Sequence, residues 1–91
     1  MRILFEDNEP VKTVSIREVN EIDLCPVWQA GGSDVPISVF LEFDGESIAE
    51  YPMDGTMDTF NDAVTAYNTI MKALLITGYC NMTDFGAELL F

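Results

Sequence analysis

Residues 36–53 limit what this chain can fold into more than any other segment. Residues 36–43 form a run of β-branched and aromatic side chains that is typical of a strand, and the dipeptide Asp44-Gly45 follows it directly. Asp-Gly supplies the two positive φ values that a type I′ turn requires, so residues 46–53 are expected to return as the second strand. The segment therefore predicts a β-hairpin with a two-residue turn.

The turn also predicts which residues pair across the hairpin. Pairing counted outward from a two-residue turn places Leu41 opposite Ile48. By the same count, Phe40 lies opposite Ala49. On this register one face carries four apolar side chains, with two glutamates among them near the rim of the sheet: Val39, Leu41, Phe43 and Ile48, with Glu46 and Glu50. A longer loop would shift the pairing by one residue.

A long amphipathic helix is predicted after the hairpin, beginning near Asp58 or Thr59. The pattern Thr59-x-x-Asp62 fits a capping box, and acidic residues suit the positive end of a helix. Apolar residues then recur at spacings of three and four, which defines one buried face: Phe60, Ala63, Val64, Tyr67, Ile70, Met71 and Leu74. Gly78 is the predicted stop, because glycine readily adopts the left-handed conformation that ends a helix.

The N-terminal part predicts two further strands. Residues 2–5 form an apolar run, residues 7–10 are turn formers, and residues 11–16 alternate between apolar and polar side chains. The pattern Ser15-x-x-Glu18 also fits a capping box, so a short helix at residues 16–24 stays open as an alternative.

The remaining segments have weaker patterns. Residues 26–36 run from one proline to another and contain a Gly-Gly pair, which predicts the longest loop of the chain. Residues 79–83 are expected to form a connector. Residues 84–91 predict a last strand rather than a short helix, because Gly86 would weaken a helix of this length.

These elements predict a single domain over residues 1–91, of the α+β class. The expected fold is a small antiparallel sheet built on the hairpin, with the main helix packed across one face in two layers. A chain of 91 residues suits one small domain with a modest core.

Acidic residues dominate the middle of the chain. Between Arg17 and Lys72 there are eleven carboxylates and no basic residue, and the whole chain has a net charge of −12. Such a field repels nucleic acid and acidic lipid and attracts basic surfaces. Because 48% of the residues are apolar, the chain is expected to fold rather than to behave as a disordered acidic tail.

The composition argues against an enzyme and against a cofactor or metal site. The chain has no His, so a Cys or Ser nucleophile would lack its usual base. Residues 54–58 lack the alternating oxygen ligands and the distal Glu of an EF-hand, and there is no Cys-x-x-Cys motif. Four basic residues are too few to hold a nucleic-acid substrate.

The cysteines and the N-terminus predict a cytoplasmic protein. Cys25 and Cys80 are too few for a disulfide framework. The N-terminal apolar run ends at Glu6, well short of the length of a signal peptide, and no stretch reaches the ~20 apolar residues of a membrane span.

The functional hypothesis is a small, non-enzymatic acidic protein that binds a basic surface of a nucleic-acid-binding protein and inhibits or regulates it. Duplex DNA presents one charge per ~1.7 Å, so a mimic needs several carboxylates on a rigid frame. The candidate partner-binding residues are seven carboxylates and one aromatic residue: Glu42, Asp44, Glu46, Glu50, Asp54, Asp58, Asp62 and Trp28. Trp28 is interpreted either as an interface anchor or as a cap on the core.

In size and charge the chain resembles small acidic inhibitors that phages and mobile elements encode, including anti-CRISPR and anti-restriction proteins. This resemblance is compositional and assigns no residue a role. Two other interpretations stay open. The acidic residues could serve solubility alone, or the chain could form a homo-oligomer through its apolar helix, including Leu75 and Ile76, and through residues 89–91.

Overall fold

The structure, a computed structural model, describes residues 1–7, 13–32, 34–86 and 88–90. Within these ranges it contains seven strands, one long helix and one short 3₁₀ helix. The strands are β1 (Arg2–Asp7), β2 (Thr13–Glu18), β3 (Ile22–Val27), β4 (Ser38–Phe43), β5 (Glu46–Tyr51), β6 (Tyr79–Asn81) and β7 (Glu88–Leu89). The helix α1 spans Met57–Thr77, and the 3₁₀ helix spans Met82–Phe85.

The strands form two sheets rather than one. In the three-stranded sheet the order is β2-β1-β6, with β1 antiparallel to β2 and parallel to β6. In the four-stranded sheet the order is β3-β4-β5-β7, and all neighbours are antiparallel. Helix α1 carries the chain from β5 in one sheet to β6 in the other. The predicted α+β architecture with one helix packed on a largely antiparallel sheet layer is confirmed.

One hydrophobic core joins the helix to both sheets. The buried face of α1 contributes Ala63, Ile70 and Leu74, which follow the predicted spacing. The core cluster contains residues of both sheets, of α1 and of the 3₁₀ helix: Ile3, Val19, Ile22, Leu41, Phe43, Ile48, Ala49, Ile70, Leu74, Cys80, Met82 and Phe85. Full burial of one such large apolar side chain stabilises the fold by about 1.5–3 kcal/mol, so this cluster is the main source of stability.

The hairpin turn is confirmed, but the register beyond it is not the predicted one. Asp44 and Gly45 have φ values of 51° and 82°, as a type I′ turn requires. The pairing shifts by one residue between Leu41 and Glu42, so that Leu41 lies opposite Ala49 instead of Ile48. A β-bulge of this kind sets two residues of one strand against one residue of its partner.

The bulge changes the face on which Glu50 lies. Glu50 pairs with Phe40 and not with Val39, so it leaves the core face on which the sequence predicted it. Ile48 and Ala49 are both buried in its place. Turn chemistry sets the register only as far as the strand stays regular, which is why the prediction failed beyond the turn.

Helix α1 begins earlier than its sequence predicts. Thr56 is the N-cap residue, and its hydroxyl accepts a hydrogen bond from the backbone N–H of Thr59. The capping side chain is therefore that of Thr56 and not, as predicted, that of Thr59. At the other end Gly78 has the predicted left-handed conformation, with φ of 69°, and its N–H donates to the carbonyl of Leu74. In the part of the chain that the structure describes, no helix is both long and apolar enough to cross a membrane.

Several of the shorter segments differ from their predictions. The strand predicted at residues 11–16 corresponds to β2 (Thr13–Glu18), and the alternative helix over 16–24 does not form. Residues 8–12, including most of the predicted turn, lie outside the described residues. The loop predicted over residues 26–36 includes Pro26, but Pro26 lies in β3. Because β3 is the edge strand of its sheet, a residue without a backbone N–H is tolerated at this position.

The C-terminal predictions are correct in part. The connector predicted at residues 79–83 contains strand β6, which pairs in parallel with β1. Residues 84–91 contain the end of the 3₁₀ helix followed by the favoured strand, seen as β7, and Phe91 lies outside the described residues.

Candidate functional site

The seven predicted carboxylates lie in three places. Asp44 and Glu46 are at the hairpin turn, while Glu42 and Glu50 are on the sheet. The other three lie before and within the start of α1: Asp54, Asp58 and Asp62. The structure therefore brings together only parts of the predicted set, and each part has a different chemical setting.

Glu42 and Glu50 share the face of the four-stranded sheet that turns away from α1. Along β4 the side chains of Val39, Leu41 and Phe43 are buried, whereas the alternate residues Phe40 and Glu42 are partly exposed. Successive side chains of a strand point to opposite faces, so Phe40 and Glu42 lie on the outer face.

Two further acidic residues lie on this outer face, directly opposite the first two. Asp23 on β3 pairs with Glu42, and Glu88 on β7 pairs with Glu50. We call these four residues, Asp23, Glu42, Glu50 and Glu88, the acidic sheet face. Side chains directly opposite each other across antiparallel strands have Cβ atoms about 4.5–5.5 Å apart, and like charges at that spacing destabilise the sheet. None of the four strands that form this sheet carries a Lys or Arg.

Phe40 lies between Glu42 and Glu50, and Cys25 lies beside Phe40 on the edge strand β3. Cys25 pairs with Phe40, and Phe40 pairs in turn with Glu50, so one row of the sheet runs from Cys25 through Phe40 to two glutamates. Both Phe40 and Cys25 are partly buried. The acidic sheet face thus has an apolar centre with negative charge on either side.

The surroundings of Cys25 disfavour the thiolate form of its side chain. Burial raises its pKa, and the neighbouring carboxylates act in the same direction, through a hydrogen bond to Glu42 and through the negative charges of Glu42 and Asp23. A nucleophilic cysteine needs the opposite environment, with positive charge nearby. Cys25 and Cys80 are both free thiols, and they lie in different sheets.

Asp44 and Glu46 connect the hairpin to neighbouring parts of the protein. An Asp44 carboxylate oxygen accepts hydrogen bonds from the backbone N–H groups of Glu21, at 2.9 Å, and Asn20, at 3.1 Å. Glu46 forms a 2.8 Å ion pair with Arg17 on the other sheet. Both carboxylates therefore have a structural role, and the Arg17 charge offsets that of Glu46.

Asp54 organises the entry into α1. Its carboxylate accepts hydrogen bonds from the backbone N–H and the hydroxyl of Thr56. These bonds, together with one from the Thr59 side chain, lower the pKa of Asp54 to about 2. Asp58 and Asp62 follow at exposed positions four residues apart. They belong to the helix layer, whereas the acidic sheet face lies on the side of the sheet away from the helix.

Trp28 combines features of both of its predicted roles. Its ring meets the ring of Phe60 edge to face, with centroids 6.0 Å apart and an interplanar angle of 81°. Half of the residue remains exposed. Trp28 therefore covers the first turns of α1 and still presents aromatic surface to solvent.

The sequence predictions missed Asp23 and Glu88 as members of an acidic face. Asp23 was missed because residues 16–24 were considered for a helix and residues 26–36 were assigned to a loop. The alternation of Ile22 and Leu24 with Asp23 and Cys25 is a strand pattern that identifies β3. Glu88 has no comparable signal, since β7 is only two residues long.

Neither a metal centre nor a relative helps to interpret these residues. Within residues 1–7, 13–32, 34–86 and 88–90, no three Asp, Glu, Cys or His side chains converge in a way that could hold a metal ion. Comparisons with protein-family models, with curated proteins and with solved structures found no match to this chain.

We predict that Thr56→Val raises the pKa of Asp54 from about 2 toward its ordinary value of 3.8, because the variant removes a hydroxyl donor. Since the pKa is lower in the folded state than in the unfolded state, Asp54 stabilises the fold above about pH 4. That contribution disappears as the pH falls toward 2. Because the variant has a smaller difference between its folded and unfolded pKa, acid lowers its stability by less. A carbon-13 NMR titration of the side-chain carboxyl groups measures the shift. Thr65→Val, on the exposed face of α1, is the control; an unchanged Asp54 pKa in Thr56→Val would contradict the assignment.

A second prediction concerns the opposed carboxylates. Glu50→Gln should increase the free energy of unfolding by up to about 1 kcal/mol at low salt, because it removes the repulsion from Glu88. The gain should shrink as added salt screens the charges. Urea denaturation at two salt concentrations measures both effects. Asp34→Asn removes one exposed loop charge and is the control; equal stabilisation by both variants would show that only net charge matters.

Proposed function

We propose that this protein binds, through its acidic sheet face, a basic surface of a nucleic-acid-binding protein and blocks that surface. The observation that carries the proposal is the pair of directly opposed carboxylates, Asp23 with Glu42 and Glu50 with Glu88, on four strands without a basic residue. This arrangement lowers the stability of the protein when no partner is bound. A cationic partner relieves that cost, since its positive charges enter between like charges.

Arginine is the side chain that best suits this surface. Its guanidinium group forms paired hydrogen bonds with carboxylates and stacks on aromatic rings. The acidic sheet face offers carboxylates on both sides of Phe40, so an arginine-rich surface meets both kinds of contact in one place. Lysine contributes charge alone and should bind less well.

A surface that normally holds nucleic acid fits the arrangement of the charges. Basic grooves of this kind are built to accept closely spaced phosphates. The acidic sheet face presents carboxylates on adjacent hydrogen-bonded strands, where neighbouring strands are about 4.7–4.9 Å apart and the backbone holds them in place. Because the frame is already ordered, little conformational entropy is lost when the protein binds.

The proposed activity is binding without chemistry, in the cytoplasm. The pKa of the Cys25 thiol is raised, which suits a packed side chain rather than a nucleophile. Two free thiols are in keeping with a reducing compartment. Electrostatic attraction would act before contact, so it would speed association as well as strengthen the complex.

The test compares two variants with the same change in charge. The sheet variant replaces the acidic sheet face with amides: Asp23→Asn, Glu42→Gln, Glu50→Gln and Glu88→Gln. The control variant changes four exposed carboxylates that lie off the four-stranded sheet: Glu18→Gln, Asp34→Asn, Asp58→Asn and Asp62→Asn. Each purified protein is used to capture partners from nuclease-treated lysate, and the affinity for any captured protein is then measured by calorimetry at about 50 and 200 mM NaCl.

We expect the wild type and the control variant to bind the same basic nucleic-acid-binding protein, and the sheet variant to bind it at least about tenfold more weakly. Added duplex DNA should displace the wild-type protein, and the affinity should fall steeply with salt. Equal weakening in both variants would show that net charge alone drives binding. Binding that is insensitive to salt and DNA would contradict the proposed function.

A further inference from the structure

Helix α1 ends in the most exposed apolar pair that the structure describes. Leu75 is 84% exposed and Ile76 is 72% exposed, whereas Leu74 beside them is buried in the core. Tyr79, one residue beyond the glycine that ends the helix, is also exposed. We call Leu75, Ile76 and Tyr79 the helix-end patch. Two adjacent large aliphatic residues at these exposures do not contribute to the core that holds the helix.

The helix-end patch lies in the part of the chain with the fewest negative charges. Residues 63–83 contain no carboxylate, although the chain has sixteen acidic residues in 91, and they include Lys72 one turn before the patch. On the neighbouring sheet, Tyr79 lies beside Arg2, which pairs with Glu18. Tyr79 therefore has one positive and one negative side chain beside it, and residues 63–83 add Lys72 but no carboxylate.

We infer that a second copy of this chain docks on the helix-end patch, so that the protein forms a symmetric dimer through the end of α1. The distribution of charge selects this occupant. Two copies with a net charge of −12 each repel one another over most of their surface, and residues 63–83 add no carboxylate of their own to a contact. A basic partner gains nothing here, because the charges that attract it lie on the acidic sheet face.

The size of the patch sets the strength of the dimer. A stable protein interface buries about 800 Å² on each partner, and three side chains at one end of a helix provide only part of that area. We therefore expect a dissociation constant in the micromolar range, weaker than that of an obligate dimer. Because an apolar contact is not screened while the repulsion between copies is, added salt should strengthen the dimer.

The dimer would present two binding surfaces at once. Leu75 and Ile76 are on α1 and Tyr79 is on β6, whereas the acidic sheet face is on the strands of the other sheet, so pairing through the patch leaves both acidic faces open. Two linked faces bind a repeated basic surface more tightly than one face does. The dimer itself rests on the exposure and charge of the patch and does not depend on the proposed function.

Sedimentation equilibrium of the purified protein tests the inference. The variant Leu75→Glu with Ile76→Glu places charge in the contact and keeps good helix formers in α1. The matched control, Ile16→Glu with Ile37→Glu, adds the same charge at two other exposed apolar positions. Circular dichroism and thermal unfolding establish that each variant is folded.

We expect the wild type and the control to shift from monomer to dimer between about 1 and 200 μM. The helix-end variant should dissociate at least about tenfold more readily. A wild type that stays monomeric at high salt and about 500 μM would overturn the inference, as would equal weakening in the control. Since the helix-end variant keeps an intact acidic sheet face, its one-to-one affinity for a basic partner separates failure of the dimer from failure of the proposed function.

Discussion

A single β-bulge determines what the outer side of the four-stranded sheet presents. Without the shift between Leu41 and Glu42, Glu50 would lie opposite Val39 on the core face, where its charge would be buried at high cost. With the shift, Ala49 enters the core and Glu50 moves outward beside Phe40, opposite Glu88. One extra residue in β5 therefore serves both packing and charge, because it keeps the core apolar and completes the second pair of opposed carboxylates.

The inner and outer sides of the four-stranded sheet have opposite effects on stability. The inner side of the four-stranded sheet, the three-stranded sheet and α1 meet in one cluster that supplies stability. The outer side carries like charges at directly opposed positions, which lowers stability. Other carboxylates are used structurally, since Asp44 and Asp54 accept backbone hydrogen bonds and Glu46 pairs with Arg17. The carboxylates of the acidic sheet face are instead placed opposite one another, Asp23 with Glu42 and Glu50 with Glu88.

Local chemistry made some of this fold predictable from the sequence. Asp44-Gly45 specifies its turn through its own φ preferences, and the apolar spacing along α1 follows from helical geometry, so both predictions were correct. The bulge, the parallel pairing of β6 and the short β7 depend on contacts between distant segments, which no local pattern encodes. For that reason Glu88 could not be identified as the partner of Glu50. Asp23 was missed although the alternation over residues 22–25 is a local strand pattern.

The most direct test of the acidic sheet face is a map of where it meets positive charge. Amide chemical shifts of the isotope-labelled protein would be followed by NMR while a short arginine-rich peptide is added at low salt. We expect the largest changes on the strands of the acidic sheet face, at Asp23, Cys25, Phe40, Glu42 and Glu50. Changes centred on Asp58 and Asp62, or spread evenly over all the acidic residues, would contradict it.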